Sequence, residues 1–280
     1  MKILVTGGAG FIGSSLAHLL PHYGHETIAP NREQLDMTDF KAYEAFLKKH
    51  KPDAIVHTAF KGHFGAQGGE TAFVDNLKMY ETLWMGDAGL PTVIFGSGAE
   101  FDRRFAIENA APDRVFDAWP IDLYGLSKNI ISRRFMDRNL GDSELENPFL
   151  LRLFGCFGPD EPEYRFIKRS INRLKQGLPI EIEQDKYMDF FYIDDVAAVI
   201  NRVVHETDIF RHMNLTYDKK YKLSQVAELI CSIMKVPTNI TIVNPDLALP
   251  YTGNSTHLSM ENIDFYGLEQ GIARMVKDLE

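Results

Sequence analysis

The chain has 280 residues, 45% of them hydrophobic and 25% charged, with a formal net charge of −9. That length and apolar content suit one large α/β domain, or one with a smaller lobe attached. The acidic balance argues against nonspecific binding to nucleic acid or anionic membranes, and the two cysteines, Cys156 and Cys231, offer neither a disulfide framework nor metal-ligand spacing. Lys2–Thr6 is a short apolar run rich in β-formers and predicts a buried strand. It does not read as a signal peptide, because polar residues and glycines interrupt it at once. Phe11–His22 carries apolar residues at helical spacing, and Glu26–Ala29 predicts a second strand. Asp36–His50 predicts a helix with Thr38 and Asp39 as candidate caps, and Pro52 ends it. Ala54–His57 and Pro91–Phe95 predict a third and a fourth strand, with a helix over Glu70–Gly86 between them. Ile121–Asn139 predicts a long helix, and Phe149–Phe154 a further strand.

Strands and helices that alternate over short connections predict a parallel sheet covered on both faces. After about residue 155 the alternation loosens. A helix near Arg165–Lys175, a strand near Ile180–Glu183 and helices near Asp194–His205 and Leu223–Met234 predict a smaller lobe. No stretch reaches the run of about 18 to 20 apolar residues that a membrane span needs. The expectation is a soluble cytoplasmic protein.

Gly7-Gly8-Ala9-Gly10-Phe11-Ile12-Gly13 lies between the first strand and the first helix. Glycine at the strand end permits a tight turn. The middle glycine lets a pyrophosphate approach the backbone, and the last lets helix and strand pack closely. The helix N-terminus then presents free N–H groups and partial positive charge to the phosphates. This context predicts a dinucleotide site rather than a bare glycine-rich turn. An NAD site usually ends its second strand with an acid for the ribose 2′-hydroxyl. Here Asn31 and Arg32 stand there instead, and an arginine pairs with a 2′-phosphate through charge-assisted bonds. NADP(H) is therefore favoured over NAD(H); the alternative is that Arg32 is a solvated loop charge.

The stretch IDLYGLSK places Tyr124 and Lys128 four apart on one helix face. A phenol is a poor acid–base group at its free pKa of about 10. A nearby ammonium is expected to stabilise the phenolate and lower that value. Ser97, in IFGSGAEFD, falls just beyond the fourth strand, at the carboxyl edge where ligands bind such sheets.

These pieces resemble the extended short-chain dehydrogenases/reductases, the class of nucleotide-sugar epimerases, dehydratases and reductases. The matching stretches come in order along nearly the whole chain: TGGAGFIG, HTAF at 57–60, Asn76 in VDNLKMYETL, Ser97, YGLSK, LFGCFGP at 153–159 and DFFYIDDVA at 189–197. Within that class, NREQLDMTDFKAYEAFLKKHKPDAIVHTAFKG and FGSGAEF resemble the GDP-L-fucose synthases, which use NADPH on a 4-keto sugar nucleotide. The resemblance implies a Rossmann-type doubly wound parallel sheet over 1–155, to which segments near 189–215 return. The remainder, 156–280, would be mainly a smaller C-terminal α/β substrate lobe. It implies Ser97, Tyr124 and Lys128 as catalytic residues. Gly7, Gly10, Phe11, Ile12, Gly13, Asn31, Arg32, Asp36, Met37, Ala59 and Lys128 would hold the cofactor, and Lys61 and Arg165 the substrate. It implies no metal, and a homodimer built on the helices at 70–86 and 121–139.

The likeness breaks at informative positions. GDP-L-fucose synthases epimerise with a cysteine two residues after the serine and a histidine in a later substrate loop. This chain has Ala99 at the first position and no histidine near Arg165 at the second. Sugar-nucleotide dehydratases carry an Asp-Glu pair after the catalytic hydroxyl residue, where this chain has Gly98 and Ala99. Glu100 and Asp102 read as loop residues rather than substitute acids. Many relatives have an arginine before DF-x-Y-x-DD that contacts the nucleotide diphosphate, and here Met188 replaces it. Arg165, Lys168, Arg169 and Arg173 are substitute charges or a solvated helix face. His57, Trp84, Trp119 and Cys156 read as structural, and Asn76 as a support of the site. The expected activity is NADPH-dependent reduction of a 4-keto nucleotide sugar, without the epimerising pair and with Tyr124 as proton donor. An NAD-dependent sugar-nucleotide 4-epimerase is the alternative enzyme. A non-catalytic NADP-sensing or scaffold protein is the alternative of another class.

Overall fold

The computed structural model describes residues 1–62, 69–86, 89–138, 147–206 and 208–280. Its first half runs β1 (Lys2–Thr6), α1 (Phe11–Leu19), β2 (Glu26–Ile28), α2 (Phe40–His50), β3 (Ala54–His57), α3 (Gly69–Met85) and β4 (Thr92–Ser97). Then come β5 (Ile107–Ala110), α4 (Leu123–Arg138), β6 (Pro148–Leu153), β7 (Cys156–Phe157), α5 (Phe166–Lys175), β8 (Ile180–Gln184) and β9 (Phe191–Tyr192). The chain ends with α6 (Ile193–His205), β10 (His212–Leu215), α7 (Leu223–Ile233), β11 (Ile240–Asn244), β12 (Tyr251–Gly253), α8 (Thr256–Ser259) and α9 (Gly267–Asp278).

Six strands make one parallel sheet in the order β2-β1-β3-β4-β6-β10. Alternation along each strand decides its two faces. Ile3, Val5, Ala54, Val56, Val93, Phe95, Phe149 and Leu151 pack with Leu16 of α1 and Val196, Ile200 and Val203 of α6. Leu4, Ile55, Ile94 and Leu150 point the other way, onto Tyr80 and Leu83 of α3 and Ile131 and Phe135 of α4. The sheet is therefore doubly covered and Rossmann-type. After β2 the chain crosses back over β1 to place β3 on its far side, so the strand order reverses between β1 and β3. A crevice opens at their carboxyl ends, the usual ligand position in such sheets. Three two-stranded parallel pairs, β5 with β12, β7 with β9 and β8 with β11, build the region beside it.

Several boundaries differ from the sequence reading, each for a local reason. The first helix stops at Leu19 rather than His22: Pro21 has no N–H to continue it, and Leu20–Tyr23 tightens into a 3-10 turn that Gly24 ends at φ 82°. The second helix begins at Phe40 rather than Asp36. Asp39 caps it by accepting from the Ala42 N–H at 3.1 Å, while Asp36 is spent on a turn to the Thr38 N–H at 2.9 Å. The fourth strand runs on past Phe95, because Gly96 and Ser97 still pair with Arg152 and Leu153. Ser97 is thus the last residue of the strand, not a residue beyond it. Asn139, the expected end of α4, lies outside the described residues. His212–Leu215 pairs with β6 and supplies one edge of the main sheet. Among the described residues no helix is long and apolar enough to cross a membrane.

Candidate active site

The loop after β1 shows which glycines the chain needs for itself. Gly7 is left-handed at φ 75°, and a Cβ there would meet the Ala59 backbone nitrogen and Cα at 2.6 Å. A Cβ at Gly13 would run into the carbonyl oxygen of Gly7. Gly10 is different: the nearest atom to its Cβ would be 3.5 Å away, an ordinary contact. Internal packing therefore does not require a glycine at 10, but close approach of an outside group does. Gly10 also begins α1 without any side-chain cap, so the first-turn N–H groups of Phe11, Ile12 and Gly13 are left to face that approach. The cradle fits a pyrophosphate.

The loop after β2 carries the other expected cofactor contacts. Arg32 is exposed, and its Nη2 lies 3.3 Å from Asp36 in a solvated pair. The Thr38 N–H, more than this pair, holds the Asp36 carboxyl below its ordinary range. Asn31 is fixed by a reciprocal pair of bonds with Gln34, at 2.9 and 3.0 Å. The Met37 side chain is buried with Leu4 and Leu35, whereas Asp36 and Thr38 of that turn are only partly buried.

Across the crevice, β3 leads into Thr58–Lys61. The buried Asn76 of α3 clamps this segment, accepting from the Lys61 N–H at 2.8 Å and donating to its carbonyl at 3.0 Å. The Lys61 ammonium pairs with Asp75. Phe60 places its ring edge-on to Tyr124, with centroids 5.0 Å apart, and 4.6 Å from Lys128 Nζ. Lys128 Nζ donates to the Phe95 carbonyl of β4 at 2.7 Å, and burial holds its ammonium down to about 8. His57 stays neutral: burial, then the Lys128 charge, lowers it to about 3, and Thr6 contacts its Nδ1 at 2.8 Å.

Ser97, at the end of β4, starts the 3-10 turn Gly98–Phe101 as its cap, accepting from the Ala99 N–H at 3.2 Å. Its hydroxyl is near enough to the Tyr124 phenol to pull that group's titration downward. The sequence reading had the lysine drawing that phenol down, and the geometry gives another balance. Burial pushes Tyr124 above its ordinary value, while the Ser97 hydroxyl and the charges of Arg165 and Arg103 pull against it. The Lys128 ammonium is engaged with Phe95 and Phe60 instead. Ser97, Tyr124 and Lys128 thus meet at the carboxyl edge of the sheet, and Arg165, at the start of α5, is within electrostatic reach. Arg165 also pairs with the buried Glu161 at 3.3 Å. Burial raises Glu161 to about 7.

The structure brings in a group that the sequence reading left out: Tyr251 of β12, whose ring end packs over Gly98, next to Ser97. Glu100 is fully buried and turned away from the crevice: it pairs with Arg152 and accepts from the Ser97 N–H at 3.2 Å and the Ser132 hydroxyl at 2.8 Å. Cys156 is buried, and burial raises its thiol to about 12, which leaves it inert. Trp84 is in the core, whereas Trp119 is exposed under Arg133 at 3.8 Å. Among the described residues no group of three or more His, Cys, Asp or Glu side chains is placed to hold a metal.

Known proteins resemble this arrangement along most of the chain. The profile of the NAD dependent epimerase/dehydratase family matches residues 3–216. The GDP-6-deoxy-D-talose 4-dehydrogenase of Aggregatibacter actinomycetemcomitans is 24% identical over 266 residues, covering 88% of this chain and 86% of that one. The dTDP-glucose 4,6-dehydratase 1 of Escherichia coli K12 is 33% identical over 281 positions, covering 84% of this chain and 77% of that one. A GDP-mannoheptose C4 reductase of Campylobacter jejuni, solved with NADP bound, superposes with a TM-score of 0.80 at 16% identity, over 99% of this chain and 98% of that one. That likeness is one of fold. With the family profile spanning the glycine loop, Ser97, Tyr124 and Lys128, the chain belongs to the NAD dependent epimerase/dehydratase family of extended short-chain dehydrogenases/reductases and is an enzyme of the NAD(P)-dependent oxidoreductase or epimerase type.

Proposed function

We propose that the protein is an NADPH-dependent reductase of a 4-keto nucleotide sugar and does not epimerise its substrate first. The observation that carries this reading is the Ser97–Tyr124–Lys128 constellation at the carboxyl edge of the sheet, beside a loop shaped for pyrophosphate. Bound NADPH would supply hydride to the carbonyl carbon. Tyr124 gives its proton to the carbonyl oxygen, Ser97 orients that oxygen, and Lys128, held at the Phe95 carbonyl, would hold the nicotinamide ribose. Ala99 is a buried methyl, and Glu100 is turned into the core, so neither supplies the acid or base that epimerisation or dehydration would need there. The relatives' sugar-nucleotide substrates and the charges of Arg165 and Arg103 near Tyr124 support an anionic sugar derivative. Residues 1–155 would hold the cofactor and 156–280 mainly the substrate, with β10 returned to the sheet. Exposed Val74 and Met85 on α3 fit the expected homodimer through α3 and α4, which light scattering would detect as a doubled mass.

Cofactor binding tests this reading. NADPH and NADH are titrated by calorimetry into the wild type and into Arg32→Ala. The wild type is expected to prefer NADPH, and the mutant to lose about 10- to 100-fold in NADPH affinity with NADH unchanged, the scale of a hydrogen bond to a charged group. A panel of 4-keto sugar nucleotides then follows with NADPH. Equal affinities, or NAD that copurifies, would move the assignment to the 4-epimerase. Turnover of no ketone despite NADPH binding would leave the sensing or scaffold reading.

The glycine loop gives a second expected result. Gly10→Ala should keep stability within about 0.5 kcal/mol, since its methyl makes only an ordinary contact with the Gly7 carbonyl, while weakening NADPH binding. Gly13→Ala should destabilise the fold itself. Urea unfolding alongside the NADPH titration separates the two effects; equal loss of stability in both variants would refute the cradle.

A further inference from the structure

A substrate that carries negative charge needs a cation that the chain has not already engaged, and the four along α5 do not provide one. Arg165 pairs with Glu161 at 3.3 Å. Lys168 donates to the Pro159 and Glu161 carbonyls at 2.8 and 3.0 Å and pairs with Glu163 at 3.0 Å. Arg169 donates to the Glu181 carbonyl at 3.3 Å, and Arg173 pairs with the Glu181 carboxylate at 2.8 Å. Arg103, whose charge acts on Tyr124, is tied to Asp122 at 2.9 Å. Lys186 differs from all of these. Among the described residues no carboxylate lies within 4.0 Å of its ammonium.

The backbone fixes Lys186 beside the site. Its N–H donates to Asp185 Oδ1 at 3.0 Å, and its carbonyl accepts from the Leu223 N–H at 3.0 Å. Two residues on, Met188 bridges to Tyr251 of β12, whose N–H donates to the Tyr187 carbonyl at 2.8 Å. The Lys186 ammonium lies 5.8 Å from the centre of the Tyr251 ring. That ring is buried, and a Cβ at Gly98, next to Ser97, would meet its Cζ at 2.9 Å. One aromatic ring therefore separates Lys186 from the strand end that carries Ser97. The carboxylates nearest to Lys186 in the chain have other partners. Asp185 accepts from the Ser224 N–H and hydroxyl at 3.1 and 2.7 Å, and Asp189 pairs with Lys220 at 2.9 Å. Lys186 is half-buried; burial holds its ammonium below its ordinary value, and the Arg103 charge adds to that effect rather than relieving it. A partly desolvated charge without a counter-ion costs stability, and a bound anion removes that cost. We propose that Lys186 is a substrate-binding residue that holds an anionic oxygen of the substrate, from a phosphate of its nucleotide or from a carboxylate on its sugar. An ammonium is a compact charge with three donors, so it takes a single oxygen of either group. The inference rests on the reading of the site as one for a nucleotide sugar, and it names the cation that reads the charge.

The test uses the full-length protein saturated with NADP⁺, so that the glycine loop does not compete for the probes. GDP, dTDP and UDP, and separately D-glucuronate, are titrated by calorimetry into the parent, Lys186→Met and Lys186→Arg. Lys186→Met is expected to lose about 10-fold in affinity for the nucleoside diphosphate that the parent binds best, the scale of one hydrogen bond to a charged group. Lys186→Arg, which keeps the charge, should stay within about threefold of the parent. A loss that falls on glucuronate, with the diphosphates unchanged, assigns the anion to the sugar instead. The fold gives an independent readout. Without ligand, Lys186→Met should unfold in urea at the same concentration as the parent or at a higher one, because it removes an uncompensated charge. A lower midpoint would mean that the lysine serves the fold, and it overturns the inference. So do affinities for both kinds of probe within about twofold of the parent, or a parent that binds neither. Failure of the reductase reading would appear elsewhere, as absence of ketone turnover with the Lys186-dependent binding intact.

Discussion

Tyr124→Phe is expected to cut kcat for 4-keto sugar nucleotide reduction by about 10²- to 10⁴-fold, the range for loss of a positioned general acid. The change removes one oxygen and leaves the ring. The edge contact with Phe60 at 5.0 Å survives, so the packing that holds Lys128 over Phe60 survives with it. NADPH affinity should therefore stay within about twofold, and stability within about 0.5 kcal/mol. A loss confined to kcat marks an interaction made only in the transition state, whereas a rise in KM alone would mark a binding contact. Stopped-flow NADPH oxidation in a single turnover reads the step directly. If the phenylalanine enzyme reduced the ketone at a rate within tenfold of wild type, another group would be the proton donor and the assignment of Tyr124 would be lost.

The parts of this site that the sequence disclosed share one property: each lies in a short contiguous motif with its own local geometry. TGGAGFIG needs only a strand, a tight turn and a helix start, and Tyr124 and Lys128 need only one helical turn. The main-sheet strands β1, β3, β4 and β6 were legible from apolar runs. The strands β7, β9 and β12 of the small two-stranded pairs, two or three residues each, were not, because so few positions show no period. Tyr251 reaches the site through β12, so nothing near it in the chain advertised its place over Gly98, beside Ser97. The sign of the Tyr124 shift was equally hidden, since it depends on how deeply the ring is buried and on which acceptor Lys128 chooses. Glu100 read as a loop residue because the 3-10 turn that drives it inward is only four residues long. One signal was available and passed over. Arg152 interrupts the run FLLRLF in a strand buried on both faces, and a charged residue in that place requires a partner.

That partner gives the largest expected effect on stability. Arg152→Met should destabilise the fold by about 3–5 kcal/mol, because it strands the Glu100 carboxylate in the core. Both side chains are 0% exposed. Gly96, opposite Arg152 in the sheet, makes room for the pair: a Cβ there would meet Arg152 Cγ at 2.7 Å and Glu100 Oε2 at 3.1 Å. Glu100 is not spare, since its other contacts are the Ser97 N–H and the Ser132 hydroxyl. Arg152 is costlier to the fold: its two terminal nitrogens find no hydrogen-bond partner among the described residues, and its charge lies 5.7 Å from the Phe101 ring. A buried pair so incompletely satisfied is poor value as a stabiliser. The double variant Glu100→Leu/Arg152→Met should accordingly regain most of the lost stability in urea unfolding, giving a coupling energy of several kcal/mol. It should not regain activity, because the Ser97 N–H has lost its acceptor and the strand end that aims the serine is freer to move. Single variants within about 1 kcal/mol of wild type would refute the coupling. A stable double variant with full turnover would show that the pair holds the core and does nothing for Ser97. Stability regained without turnover would mean that the ion pair is kept for the aim of the serine rather than for the strength of the fold.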